Sequence, residues 1–278
     1  MKLDDYEFLA LEDISIPPYS NTGVTTHSNP HSTVQSYKIN YDWFEGLIAK
    51  KQDELYYLEI EKILHSLDVG FDGLHDTKTQ GRYLPNGKGL AIARNWQHSI
   101  AYLSGSIPLL TISYGGSNDR HGDYFVCTGK YAHLIVDTLK RYFMAQCDGI
   151  LNNNMLSIKR VDVAIDVRAD FDFIVDRVKK LIPVHNLKPS TYGNWLTPNH
   201  NGRTLYLGHT NNVEMRIYEK GYEQRDKGIE DAPLDWVRFE LQVRVPKGKQ
   251  NKLMKKVLAA ATASEIFHSY KFCVAIIS

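Results

Sequence analysis

The chain has 278 residues, of which 43% are hydrophobic, and a formal net charge of +1, which suffices for one substantial core or two modest ones. No apolar run approaches the roughly 20 residues of a membrane helix, and the N-terminal Met1-Lys2-Leu3-Asp4-Asp5 is acidic where a secretory signal is basic and then apolar. A soluble, cytoplasmic protein without membrane contact is expected. Cys127, Cys147 and Cys273 have no C-x-x-C spacing, which argues against a disulfide framework or zinc site and for buried small hydrophobes.

Residues 1–36 are polar and broken by Pro17, Pro18 and Pro30, so a flexible N-terminal arm is expected there, with 37–278 as one folded domain. Tyr37 to Phe44 reads as a strand, followed by an amphipathic helix from about Lys51 to Leu67 with Leu55, Leu58, Ile63 and Leu67 inward. Strands fill the chain to about Cys127. Residues 1–80 hold 6 Lys and no Arg against 14 acids, a charge of −8, whereas the remainder holds 27 against 18, a charge of +9. From Thr77 to Asn118 there is no acid at all. There Lys78, Arg82, Lys88 and Arg94 alternate with Tyr83, Trp96, Tyr102 and Tyr114, a pattern that suits a surface following a phosphate backbone and stacking unpaired bases. It suits equally the inner face of a β meander.

A helix is expected over 131–146, where Leu134, Ile135, Val136, Leu139 and Phe143 recur at helical spacing, before Asn152-Asn153-Asn154 breaks the chain. Lys159 to Val167 then alternates, with Val161, Val163, Ile165 and Val167 on one face and Arg160, Asp162, Ala164 and Asp166 on the other. That puts two carboxylates on one side, expected about 7 Å apart. Asp170 or Asp172 is placed to cap a helix running to about Leu181, and 183–202 reads as a loop with one short strand.

Arg203 to Gly208 leads through a polar turn into a second strand, so a hairpin is expected. In that second strand Val213, Met215 and Ile217 face one way and Glu214, Arg216, Tyr218 and Lys220 the other. A phenol, with a pKa of about 10, is a weak nucleophile. Neighbouring cations or a metal favour the phenolate, and the same cations would grip a phosphate. Tyr222 has the parity of Tyr218, but Gly221 is expected to end the strand between them. Trp236 to Arg244 alternates again, with Val237, Phe239, Leu241 and Val243 inward and Arg238, Glu240, Gln242 and Arg244 outward. A lysine-bearing helix from about Lys249 to Ala260 and a short segment around Ile266 to Ile277 close the chain. With more strands than helices and short hairpins, the expected class is α+β, a mostly antiparallel curved sheet flanked by helices.

Four motifs in order, R-x-D-x-A-x-D from Arg160, T-L-Y-L-G from Thr204, R-I-Y-E-K from Arg216 and R-F-E-L-Q-x-R from Arg238, resemble the replication initiation factor family. That family holds the rolling-circle initiators of small Gram-positive plasmids and related proteins of phages and mobile elements. The resemblance is clearest from Arg160 to Arg244. The chain departs from it at His209-Thr210, where such sequences often carry a small and then a basic residue.

The resemblance implies that Tyr218 nicks one strand at an origin, keeps the 5′ phosphate as a phosphotyrosine and leaves a 3′ hydroxyl primer. Arg216 and Lys220 would stabilise charge on the phosphoryl group. Mg²⁺ or Mn²⁺ would be the cofactor, with Asp162, Asp166 and Glu240 as candidate hard-oxygen ligands and Asp42 a weaker one. The bland alternative is that these acids only pair with neighbouring arginines. No His-x-His pair, the metal motif of the other large group of rolling-circle enzymes, occurs among the 11 histidines, and no nucleotide-binding phosphate loop is present. Implied partners are single-stranded or cruciform origin DNA, a host helicase and a host DNA polymerase, and a homodimer is admitted. Lys78, Arg82, Lys88 and Arg94 are the candidate DNA-binding cations. The competing functions are a non-catalytic DNA-binding regulator on the same scaffold and a metal-dependent nuclease that uses water.

Overall fold

The computed structural model describes residues 39–48, 56–84, 86–117, 122–145, 156–192, 202–209, 212–246 and 261–277. The expected arm over 1–36, the helix expected over 249–260 and Cys147 lie outside them. The chain divides into two compact units, one comprising Tyr41–Asp162 and Arg244–Thr262, the other centred on Val163–Val243 with Ala263–Ser278.

In the first unit the strands β1 (Asn40–Ile48), β2 (Gly73–Asp76), β3 (His98–Ser104), β4 (Ile107–Tyr114) and β5 (Asp123–Thr128) join the start of β6 (Leu156–Arg168) in the order β2-β3-β4-β5-β1-β6. Antiparallel pairing places Phe44 opposite Cys127, and Ile112 opposite both Ile100 and Phe125. Helices α1 (Tyr56–Ser66), α2 (Thr77–Gln80) and α3 (Ala132–Ala145) complete the unit. Phe44, Phe125, Ile60, Leu64, Ile112, Ile135 and Leu139 form its buried apolar set. Helix α1 turns Ile60 and Leu64 inward and leaves Leu58 53% exposed, contrary to the expected stripe. Positions two apart differ by about 200° around a helix, so once Ile60 faces the core Leu58 cannot. The thiol of Cys127 is fully buried, which pushes it up to about 12. At Gly46 a Cβ would lie 2.5 Å from the Ser157 carbonyl oxygen, so β1 tolerates only glycine beside β6.

The second unit holds the rest of β6 with β7 (Lys188–Tyr192), β8 (Thr204–His209), β9 (Val213–Glu219) and β10 (Trp236–Arg244), in the order β6-β10-β9-β8-β7. Its helices are α4 (Phe171–His185), α5 (Lys220–Asp226), α6 (Ala263–His268) and α7 (Lys271–Ile277). Asp170 caps α4 by accepting from Phe173 N at 2.9 Å, as its position predicts. The helix runs past Leu181 and through Pro183 to Asn186, whose φ of 50° ends it in the left-handed region. The apolar rows of β9 and β10, including Met215, Ile217, Phe239 and Leu241, are core as expected.

The α+β class with an antiparallel sheet flanked by helices is what the alternating pattern predicts. Among the described residues no helix is long and apolar enough to cross a membrane.

Candidate active site

The hairpin of β8 and β9 and the neighbouring β10 set the site through their register. Tyr218 lies opposite Thr204 on one side and Arg238 on the other, and Arg216 lies opposite Glu240. Directly opposed antiparallel residues have Cβ atoms about 5 Å apart, within reach of an ion pair. Arg216 duly pairs with Glu240 Oε1, while the Tyr218 hydroxyl donates to Glu240 Oε2 at 3.4 Å. Glu240 is 2% exposed, and Tyr218 is partly exposed. One buried carboxylate therefore holds both the cation and the phenol of the R-I-Y motif.

Lys220 is the first residue of α5, 8% exposed, with Nζ 5.6 Å from the centre of the Tyr218 ring. It donates to Glu223 Oε2 at 2.8 Å, and Lys227 also pairs with Glu223. Burial pulls the Lys220 ammonium below its ordinary value, and the Arg238 charge adds to this, while Glu223 opposes both. Burial favours the neutral form of Glu223, but Lys220 and Lys227 outweigh it and hold the carboxyl below the usual range.

The change from strand to helix after Glu219 depends on Gly221, where a Cβ would stand 1.9 Å from the Pro233 carbonyl oxygen. Tyr222 consequently sits on α5 rather than in the strand row of Tyr218.

Beneath this turn lies a network that sequence reasoning missed. Arg203 donates from its backbone N (2.6 Å), Nε (3.1 Å) and Nη2 (3.0 Å) to the buried Glu219, and from Nη1 to Asp172 at 2.8 Å. Its guanidinium also lies 4.8 Å from the Phe171 ring centre. The Glu219 hydrogen bond, against the cost of burial and with help from Asp172, raises the Arg203 pKa further above its already high value. This network joins the start of α4, the entry to β8 and the end of β9. Only the pairing of β8 with β9 brings Arg203 beside Glu219, and no local spacing signals it.

The polar rows of β6 and β10 were expected to face outward, yet Asp162, Asp166, Arg238, Glu240 and Gln242 are all buried. Polar groups tolerate such burial when they satisfy one another. Arg238 makes a two-pronged pair with Asp166 at 2.5 and 2.6 Å. Arg160 pairs with Asp162 and stacks 4.6 Å from the Trp43 ring centre. Arg168 goes to Asp235 at 2.7 Å.

The expected 7 Å between Asp162 and Asp166 is also wrong, because four residues of strand rise span about 13 Å. A divalent cation needs several oxygens around one point. Among the described residues no three His, Cys, Asp or Glu side chains form such a group. Asp162 and Asp166 each grip a guanidinium and Glu240 holds Arg216, so these residues as paired here do not fit a metal. Asp42 lies on β1, in the unit that also holds Asp162 but not Asp166 or Glu240.

Lys78, Arg82, Lys88 and Arg94 are all exposed, as a DNA-contacting role requires. The aromatics between them differ in what they can do. Tyr102 is fully buried, Tyr114 donates to Asp76 at 2.8 Å and stacks on His98, and Trp96 donates to the Gly122 carbonyl and packs on Tyr124. Tyr83 is 71% exposed. The meander reading therefore holds for Tyr102, while Tyr114 and Trp96 are half-buried with their polar atoms engaged within the unit.

Residues 156–275 match the model of the family described as replication initiation factor, a stretch that contains Arg203, Arg216, Tyr218, Lys220 and Glu240. No curated protein matches the chain in sequence. Among solved structures, a rolling circle replication initiator protein from Geobacillus stearothermophilus is 20% identical, with a TM-score of 0.47, covering 80% of this chain and 78% of that one.

Proposed function

We propose that the chain initiates rolling-circle DNA replication by nicking one strand at an origin, with Tyr218 as nucleophile. The observation that carries this reading is the Tyr218 hydroxyl held on Glu240 beside Arg216 and Lys220, within the stretch that matches the replication initiation factor model. The Tyr218 oxygen attacks the phosphodiester phosphorus, the bond from phosphorus to the 3′ oxygen breaks, and a 5′-phosphotyrosine forms. Glu240 takes the phenol proton, and the departing 3′ oxygen takes one from solvent and becomes the primer hydroxyl. Arg216 and Lys220 offset charge gathering on the phosphoryl oxygens. Because the ester is conserved, reversal rejoins the strand. Host helicase and polymerase would act on the nicked product.

The test is a denaturing gel for covalent protein–DNA product on a single-stranded or cruciform origin oligonucleotide. Wild type and Tyr222→Phe are expected to form adduct, whereas Tyr218→Phe binds without forming it. Free 5′ phosphates without adduct would instead identify a hydrolytic nuclease, and binding without cleavage a DNA-binding regulator. Adduct that needs Mn²⁺ or Mg²⁺ would mean that DNA rearranges the arginine pairs of Asp162, Asp166 and Glu240 into ligands.

A further inference from the structure

We infer that Tyr83 is a base-stacking residue, presented between Arg82 and Lys88 to an unpaired base of the DNA strand. The inference rests on the nicking function proposed above and narrows its substrate to DNA with unpaired bases at the contact. It stands on how the segment around Tyr83 is built.

Leu84 N donates to Lys88 O at 2.8 Å, Gly87 N to Leu84 O at 2.8 Å and Leu90 N to Arg82 O at 2.7 Å. Tyr83 pairs with Gly89 across an antiparallel bridge. Asn86 accepts from Lys88 N at 3.0 Å and donates to Ser106 O at 3.4 Å, and Gly87 turns the chain with a φ of 78°. Leu84 and Leu90 tuck beneath, against Ala101 and Leu103. His75 holds the Gly81 carbonyl at 2.8 Å just before the first arm. Two short arms are thus tied to each other and to β3.

Singly exposed tyrosines are common on protein surfaces and need no explanation. This one differs in three respects. The residue bridged to it, Gly89, has no side chain, and a Cβ there would come no nearer than 4.0 Å to the ring, which is 71% exposed. Exposed Arg82 precedes it in the first arm and exposed Lys88 precedes Gly89 in the second, in a run from Thr77 to Asn118 that contains no acid. Asp72 and Asp76, which precede that run, already accept from Gly105 N and from Lys78 N and the Tyr114 hydroxyl. An exposed aromatic on two bridged arms that also carry exposed cations suits a base stacked next to its own phosphates, an arrangement that double-stranded DNA with its bases paired does not offer.

The experiment measures affinity of the full chain carrying Tyr218→Phe, to prevent turnover, for a single-stranded origin oligonucleotide and for the matching duplex, with adduct assays run on chains that keep Tyr218. A 2-aminopurine base in the single strand reports stacking through quenching of its fluorescence. Tyr83→Leu is expected to weaken single-strand binding roughly tenfold and to remove the quenching, with duplex binding unchanged. Tyr83→Trp is expected to restore both. Equal affinities and quenching for wild type and Tyr83→Leu, or an equal loss on duplex, would overturn the inference while leaving the nicking reading intact if Tyr83→Leu still forms the Tyr218 adduct. A wild-type chain that binds neither DNA would overturn both.

Discussion

The Tyr218 hydroxyl and Glu240 Oε2 lie 3.4 Å apart, with the other oxygen of that carboxylate held by Arg216. The phenol therefore faces a buried acceptor whose second oxygen is already oriented. Changing Glu240 to Gln removes the proton acceptor and keeps the shape. Adduct formation in single turnover is predicted to slow by roughly a hundredfold or more, while DNA affinity stays within a few-fold of wild type. A normal single-turnover rate would remove Glu240 from the chemistry.

Asp166 and Arg238 form the most completely buried ion pair among the described residues. Asp166→Ala takes the paired carboxylate away from a buried guanidinium and is predicted to cost about 3–5 kcal/mol, whereas the double change Asp166→Leu with Arg238→Met should recover most of that. Urea unfolding of wild type and both variants measures the difference.

The pH dependence of nicking should follow Lys220. Its ammonium is depressed by burial and by Arg238 and supported by Glu223, so its charge is present at low pH and lost as pH rises through a value below the ordinary lysine range. Removing the support with Glu223→Gln lowers that value further. The alkaline limb of the pH–rate profile is predicted to move to lower pH in the variant, and a limb that stays in place would show that Lys220 is not the group titrating.

Gly221→Ala puts a methyl group into the Pro233 carbonyl and forces the start of α5 to shift. A loss of at least about 2 kcal/mol is predicted, with adduct formation falling by more than the unfolded fraction accounts for, because Lys220 moves with the backbone. Thermal unfolding combined with single-turnover assays separates the two effects.

Replacing Lys78, Arg82, Lys88 and Arg94 with glutamine should weaken DNA binding and flatten its salt dependence, by about 0.7 in the logarithmic slope for each single-strand phosphate that is no longer neutralised. A slope equal to that of wild type would leave these exposed cations with no part in binding.

Alternation alone determined the existence and inner faces of β6, β9 and β10, and the Asp170 cap, because strand parity and helix capping depend on neighbours a few residues apart. The order of four local motifs likewise pointed to a replication initiation factor and picked out Tyr218 with its flanking cations. Sequence could not reveal what the polar rows were for. The outward placement of Asp162, Asp166, Arg238 and Glu240 was the natural reading of an alternating strand, and it failed because each acid meets an arginine that lets it be buried. For Asp166 and Glu240 that arginine lies on another strand. Nor did any spacing single out Tyr83 from Tyr102, Tyr114 and Trp96, which pack within the unit. Cross-strand register decides such pairings, and register is set by which strands become neighbours, which is a property of the folded sheet and not of any one segment.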